Sequence, residues 1–464
     1  MLTVSETLLS ELENAGIRYL HWKGNCHYVD GFNGLGDIDM LVHRDDSEKM
    51  RALLRGLNFI NPYTQSYMQN DHIEDWLGFD KKHGVMIHLH LYYEIVFGSH
   101  FLNEYTFLPY EQCFERAVCP EENPCRLQNP AIEYALLLCR VAVGSVTDSK
   151  KIEGNRQYLI HRIEEEPFLE SMQTCGLTEE DARALFETTK DEACSVDGVR
   201  GILKKLYKKN TSFAGLKIKY RKAVYAIRKR RSFDSVGFFT KKRLRNGGCM
   251  IAFVGQDGAG KTKVTSDMAG WLRKKLEVRR FYLGSGENYF SFQRDLLKLL
   301  PKSKAFKPLR GVLALSDQLH IAKRCVRQLR RAQVYAVGGG IALFDRYPQT
   351  QFAGICDGPK IRENLLPKAE SGLIKKITLL YAKREEKALK KAVRIQPDLV
   401  IKLMLTTEES LRRKPRENKE NVQKKHEIVK QLEFPKSRVV VVDVMKDYGS
   451  EVVEIKNILW KKLH

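Results

Sequence analysis

The chain has 464 residues, a length that implies two to four cores at about 100–200 residues each and excludes a single small domain. Hydrophobic residues make up 43% and charged residues 29%, enough apolar material for packed cores, yet no apolar run approaches the roughly 20 residues of a membrane span. The net charge of +22 hides an asymmetry, because residues 1–200 carry 18 basic against 33 acidic side chains and residues 201–464 carry 61 against 24. The opening residues 1–16 lack a basic stretch followed by an apolar one, so no secretion signal is expected. Ten cysteines form no C-x-x-C pair, which argues against a zinc knuckle or redox motif and points to reduced thiols in a cytoplasm.

In chain order, Leu8, Leu9 and Leu12 share one face of a helix over Ser5–Asn14, a strand follows at Ile17–Trp22, and a second at Asp37–Val42. A helix at Ser47–Leu57 and a strand at Val85–Tyr93 complete a small mixed α/β domain over residues 1–125. Residues 126–203 read as a helical appendage. Asn129 before Pro130 supplies a capping acceptor and a first-turn proline, and Thr178-Glu179-Glu180-Asp181 resembles a capping box.

Residues 204–246 form a basic bridge in which KKLYKK, KIKYRK, IRKRR and KKRLR are interleaved with Tyr207, Tyr220, Tyr225 and Phe233. A solvated linker is the plain reading; docking of 204–245 on an anionic membrane surface or on nucleic acid is the functional one. From 247 to 464 strands and helices alternate: CMIAFV, a helix from Lys261, RRFYLG, a long helix toward Tyr335, IALFD, DLVIKLML, a helix from Glu408, RVVVVD and a last helix. Such alternation predicts an α/β fold with a parallel sheet covered by helices on both faces.

Gly255-Gln256-Asp257-Gly258-Ala259-Gly260-Lys261-Thr262 satisfies G-x-x-x-x-G-K-[ST] directly after a strand and before a helix. Glycines let backbone N–H groups converge on phosphate, and the helix N-terminus adds positive potential. Lys261 is placed to reach the β- and γ-phosphates of ATP, and the Thr262 hydroxyl to hold Mg²⁺. Asp345 ends an apolar strand, where doubly wound sheets put their ligands.

Together with FDRY at Phe344–Tyr347, PDLVIKL at Pro397–Leu403, LRRKPREN at Leu411–Asn418 and VVVVD, this loop makes residues 248–464 resemble the thymidylate kinase family of P-loop nucleotide monophosphate kinases. The resemblance implies a P-loop kinase fold, with Asp345 near metal and acceptor and Arg346 gripping the acceptor phosphate. It also implies a lid whose arginines, Arg412, Arg413 and Arg416, meet the transferred group. Pro348-Gln349 and Asp357-Gly358-Pro359 depart from a strict thymidylate kinase and look like the thymidylate-kinase-like proteins associated with bacterial cell-surface polysaccharide synthesis. The acceptor is left open among nucleotide, sugar and sugar phosphate.

In the front domain Lys23-Gly24 follows a strand, and Asp37 and Asp39 fall on one face of the next strand, where paired hard oxygens suit a metal. GIRYLHWKGN, GDIDMLV and HLHL resemble the KG…GDxD…DLH branch of the nucleotidyltransferase superfamily over residues 10–120. The resemblance implies metal binding by Asp37 and Asp39, with His88 in the place of a third acid. A transition metal on Asp37, Asp39, His88 and His90, nucleotidyl transfer, and a nucleotide-binding relic all stay open. The expectation for the whole chain is an ATP- and Mg²⁺-dependent phosphotransferase, cytoplasmic or peripheral at the inner membrane face, with a nucleotide and a small-molecule acceptor as partners. A nucleic-acid-binding or end-processing kinase and a nucleotide-binding regulator without turnover are the alternatives, and the oligomeric state is undetermined.

Overall fold

The computed structural model describes residues 1–65, 68–98, 103, 105–121, 125–190, 203, 219–220, 223–224, 226–227, 241–284, 291–301, 303–369, 372–415 and 417–464. Most of the basic bridge expected at 204–246, and with it the anionic surface expected to meet it, lies outside these residues, as does Arg416. The chain divides into two compact units, Met1–Asp234 and Ser235–Leu463.

The first unit is built on a four-stranded sheet in the order Tyr19–His21, Asp37–Val42, Val85–Tyr92, Ile73–Asp80. The outer pairs are antiparallel and the central pair is parallel, with Asp37 opposite His88, Asp39 opposite His90, and Asp75 also opposite His90. Side chains alternate across a strand, so this register gathers the three aspartates and two histidines on one face. The other face carries Ile38, Met40, Ile87 and Leu89, fully buried against Leu8, Leu9 and Leu12 of helix Thr3–Asn14 and Met50 and Leu54 of helix Ser47–Gly56.

Strand Ile73–Asp80 was not expected from its sequence. Two acids and a glycine give IEDWLGFD poor strand propensity, and the long pairing with Val85–Tyr92, which buries Trp76 and Leu77, overrides it. Beyond the aspartates and histidines, the polar face runs into Leu41, Tyr92, Leu20 and Trp22. These share one core with Ile132, Leu136, Phe168 and Leu185 of helices Pro130–Ala142, Glu165–Thr174 and Glu179–Lys190. The helical segment thus completes the sheet's core within the same unit. Its caps form as the sequence predicts: Asn129 Oδ1 accepts from the Ala131 and Ile132 N–H groups at 2.9 and 3.4 Å, and Thr178 Oγ1 accepts from Asp181 N at 3.1 Å.

The second unit holds a five-stranded, all-parallel sheet in the order Val278–Arg280, Ile341–Phe344, Cys249–Gly255, Leu399–Met404, Arg438–Asp443. Met250, Ala252 and Val254 on one face share a core with Leu329 and Ala332 of helix Lys307–Val337 and Ile428 of helix Lys419–Gln431. Ile251 and Phe253, pointing the other way, are equally buried. Burial on both faces is why the three central strands read as unbroken apolar runs, whereas the edge strand Arg438–Asp443 leaves Val439 and Val441 exposed. Helices Gly372–Ala392 and Lys419–Gln431 were not expected from the sequence, their lysine-rich faces masking the periodicity. Among the described residues no helix is long and apolar enough to cross a membrane, and the nine described cysteines are all free.

Candidate active site

In the second unit the chain numbers its strands 2-3-1-4-5 across the sheet, so the carboxyl ends of the first and third lie side by side. The first runs into the phosphate loop and the third into Asp345. Gly258 and Gly260 sit at φ 87° and 77°, a left-handed conformation that lets the loop curl before helix Lys261–Arg273 begins.

Lys261 Nζ donates to the Gly255 and Gln256 carbonyls at 2.9 and 2.8 Å, folded back over the loop where a phosphate would sit. Burial lowers its pKa, while Asp257 and Asp357 oppose that shift. Three further contacts brace the loop: the Gln256 amide to Leu405 O at 2.6 Å, Ser410 Oγ to Asp257 O at 2.6 Å, and an ion pair between Lys425 and Asp257. Burial would raise the Asp257 pKa, but the Lys425 contact more than offsets it and holds the carboxyl below the usual carboxylate range.

Asp345 is 4% exposed. Its Oδ2 lies 3.4 Å from Thr262 Oγ1, and its Oδ1 is buried without a hydrogen-bond partner among the described residues. Arg346 Nε, 3.9 Å from that oxygen, is likewise buried and unsatisfied. An orphaned carboxylate oxygen beside a hydroxyl at the mouth of a phosphate loop is the donor set a hard cation such as Mg²⁺ takes, so these residues fit the metal expected there.

The Arg346 guanidinium lies 5.3 Å over the Tyr282 ring and 3.6 Å from Asp357 Oδ1. Asp357, at φ 60° in a conformation few non-glycine residues adopt, is a site residue to which the sequence assigned no role. Arg346, Tyr347, Asp357 and Lys360 separate two clefts. One, about 280 Å³, opens onto Lys261 and Lys425. The other, about 100 Å³, runs past Leu283, Gln318 and Glu385. A donor phosphate and an acceptor can therefore meet across Arg346.

The expected lid arginines divide. Arg413 reaches the loop, donating to Gly258 O at 3.3 Å and Val444 O at 3.2 Å. Arg412 is exposed and forks onto Glu409, with Nη2 to Oε1 at 2.6 Å, so the structure does not bring it to the loop. A helix-end pair formed three residues apart holds it there.

In the first unit the expected constellation assembles through hydrogen bonds and one lysine–aspartate ion pair. His88 bridges two acids, Nδ1 to Asp37 Oδ1 at 2.9 Å and Nε2 to Asp75 Oδ1 at 2.7 Å. Asp39 Oδ1 meets Lys23 Nζ at 3.0 Å and His90 Nδ1 at 3.2 Å. Although burial pushes the other way, Lys23 and His90 hold the Asp39 carboxyl well below the usual carboxylate range. Burial in turn lowers Lys23 to about 8, with Asp39 opposing. Gly24 N and Asn25 N donate to Glu133 Oε1 at 2.7 and 3.1 Å, so helix Pro130–Ala142 pins the Lys23-Gly24 turn.

Each acid that the sequence offered as a metal ligand is thus already matched by a nitrogen. Among the described residues no three His, Cys, Asp or Glu side chains group as a metal site. A hard cation wants pooled negative charge, which Lys23 removes from Asp39, so the set Asp37, Asp39, His88 and His90 does not fit a metal in this arrangement. Asp75 was missed because only the unexpected strand pairing brings it to His88.

No family model matches the chain. It is 28% identical over 219 residues to YghR of Escherichia coli K12, an uncharacterized ATP-binding protein, covering 44% of this chain and 84% of the relative. It is 25% identical over 209 residues to YghS of the same strain, also an uncharacterized ATP-binding protein, covering 42% and 85%. Among solved structures, a deoxyadenosine kinase from M. mycoides with dCMP and dCDP bound overlaps 45% of this chain and 98% of its own at 18% identity, with a TM-score of 0.30.

Proposed function

We propose that the second unit is an ATP-dependent phosphotransferase acting on a nucleotide, sugar or sugar-phosphate acceptor. The observation that carries the reading is the juxtaposition at the strand ends. A glycine loop with Lys261 folded over it lies beside Asp345 and Arg346, whose facing atoms are buried and unsatisfied, at the wall between two clefts. Similarity to two ATP-binding proteins supports the nucleotide half of the reading.

Lys261 exchanges its carbonyl partners for phosphate oxygens, and the loop's N–H groups and the start of helix Lys261–Arg273 hold the rest of the polyphosphate. Asp345 orients the acceptor hydroxyl or takes its proton. Arg346, steadied by Tyr282 and Asp357, holds the acceptor's anionic group in line and balances charge on the group in transit. Arg413 closes the loop side. A Mg²⁺ ion at Thr262 and Asp345 would supply further neutralisation of the phosphoryl oxygens. The second cleft, lined by both apolar and charged groups, suits an acceptor with a phosphate at one end and a ring at the other.

Nucleotidyl transfer by the first unit is not part of this reading, since its carboxylates are matched by Lys23 and the histidines. A role in surface polysaccharide synthesis rests on the DRYPQ and DGP resemblance, which makes sugar phosphates of that kind the first acceptors to try. The test is to incubate the full chain with labelled ATP, Mg²⁺ and a panel of phosphorylated acceptors. Labelled product is expected, and Lys261→Ala should cut kcat/KM by about 100-fold or more. ATP binding without transfer to any acceptor would favour a regulator. Steeply salt-dependent oligonucleotide binding would favour the nucleic-acid reading.

A further inference from the structure

The first unit contains a cavity of about 390 Å³ lined by Trp22, Lys23, Arg140, Ser145 and Thr147, among others. Among the described residues its lining carries these two cations and no carboxylate. Arg140 leaves the last turn of helix Pro130–Ala142, and among the described residues its guanidinium has no hydrogen bond or ion pair. The contact it makes is with the face of Trp22, 6.0 Å away, and Lys23 Nζ lies 4.3 Å from the same ring.

The two neighbouring carboxylates are already engaged. Asp39 shares one oxygen between Lys23 and His90, and Glu133 accepts from Gly24, Asn25 N and Asn25 Nδ2. The Trp22 indole N–H is buried with no acceptor among the described residues. Ser145 Oγ accepts from Gly98 N at 3.4 Å, leaving its own O–H to donate. A cavity whose wall presents a guanidinium fork with no acceptor among the described residues, beside an ammonium and hydroxyls, is a receptor for an anion.

We propose that this cavity binds the phosphoryl group of a small metabolite through Arg140 and Lys23 without a divalent cation. A carboxylate, with two oxygens and one charge, is saturated by the arginine fork alone. A phosphoryl group has oxygens for the fork, the ammonium and a hydroxyl together. The volume exceeds what a lone ion fills, so the ligand carries a body as well as a phosphate. This site does not depend on the phosphate loop of the second unit.

Because that loop also binds phosphates, the test needs a local readout. In the full chain labelled with ¹⁵N-tryptophan, the four indole N–H signals are followed in EDTA while inorganic phosphate, pyrophosphate or glucose 1-phosphate is added. Trp22 is assigned by the loss of its signal in Trp22→Phe. A saturable shift of the Trp22 signal with Trp76 stationary is expected, weakened about tenfold or more by Arg140→Met and less by Arg140→Lys. The probe acting at the lowest concentration separates free phosphate from a phosphorylated metabolite. A Trp22 signal unmoved by all three up to roughly 10 mM, or moved equally by acetate or in Arg140→Met, overturns the proposal. The wild-type titration decides alone if either Arg140 variant loses the Trp76 signal of a folded first unit.

Discussion

Glu133 joins the first unit's helices to its sheet, and its burial has a cost that pH reveals. Burial pushes its carboxyl up to about 7, against hydrogen bonds from Asn25 and Gly24. The folded chain therefore holds a proton that the unfolded chain, near 4.5, has released. Its contribution to stability is fully present below that unfolded value and is lost as pH rises through about 7, on the order of 3 kcal/mol. Glu133→Gln should flatten this loss: the unfolding free energy of the first unit, followed in urea, should fall less between pH 4.5 and 7 than in the parent. Parallel profiles would show that the proton is not held there. In the second unit, Asp345→Asn should keep the fold and nucleotide binding but lower phosphoryl transfer by about 100-fold or more, read as kcat against KM.

Elements set these side chains with little tolerance. At Gly255, where strand Cys249–Gly255 enters the phosphate loop, a Cβ would stand 2.7 Å from Leu403 O of the neighbouring strand. Gly255→Ala must push the strands apart. It is expected to cost about 1–3 kcal/mol of stability and to weaken ATP binding, measured by urea unfolding and by titration calorimetry. The cap at Asn129 is simpler, and Asn129→Ala should cost about 1 kcal/mol. The cap could be read in the sequence because it depends on neighbours two and three residues away, whereas the Gly255 contact joins two strands far apart in the chain. The pairing of His88 with Asp37 and Asp75 could not, since it spans 51 residues to one acid and crosses an unexpected strand to reach the other.

At the scale of the molecule, the two units have separate cores, so unfolding need not be all-or-none. Calorimetry of the full chain is expected to resolve two transitions. ATP with Mg²⁺ should raise only the one that Lys261→Ala leaves unresponsive to nucleotide, and 100-fold excess over Kd should stabilise it by about 2.7 kcal/mol. A single transition that shifts as a whole would show the units to be energetically fused. The charge split has a related consequence. The basic second half keeps a positive field around the phosphate loop, so nucleotide association should slow as ionic strength rises.

Taken alone, the sequence determined what local chemistry dictates. Glycine spacing before Lys261 specifies a phosphate loop, an asparagine before a proline specifies a helix start, and apolar runs between helices specify a parallel sheet. Tertiary structure decided what depends on register and burial. It turned Asp37, Asp39, His88 and His90 from an expected metal set into hydrogen-bonded partners, held Arg412 on Glu409 while Arg413 reached both Glu409 and the loop, and left Arg140 beside a cavity with no ion pair among the described residues. The physical reason is the same in each case. A side chain's charge state and partner follow from which distant groups the fold buries next to it, and spacing along the chain carries no record of that.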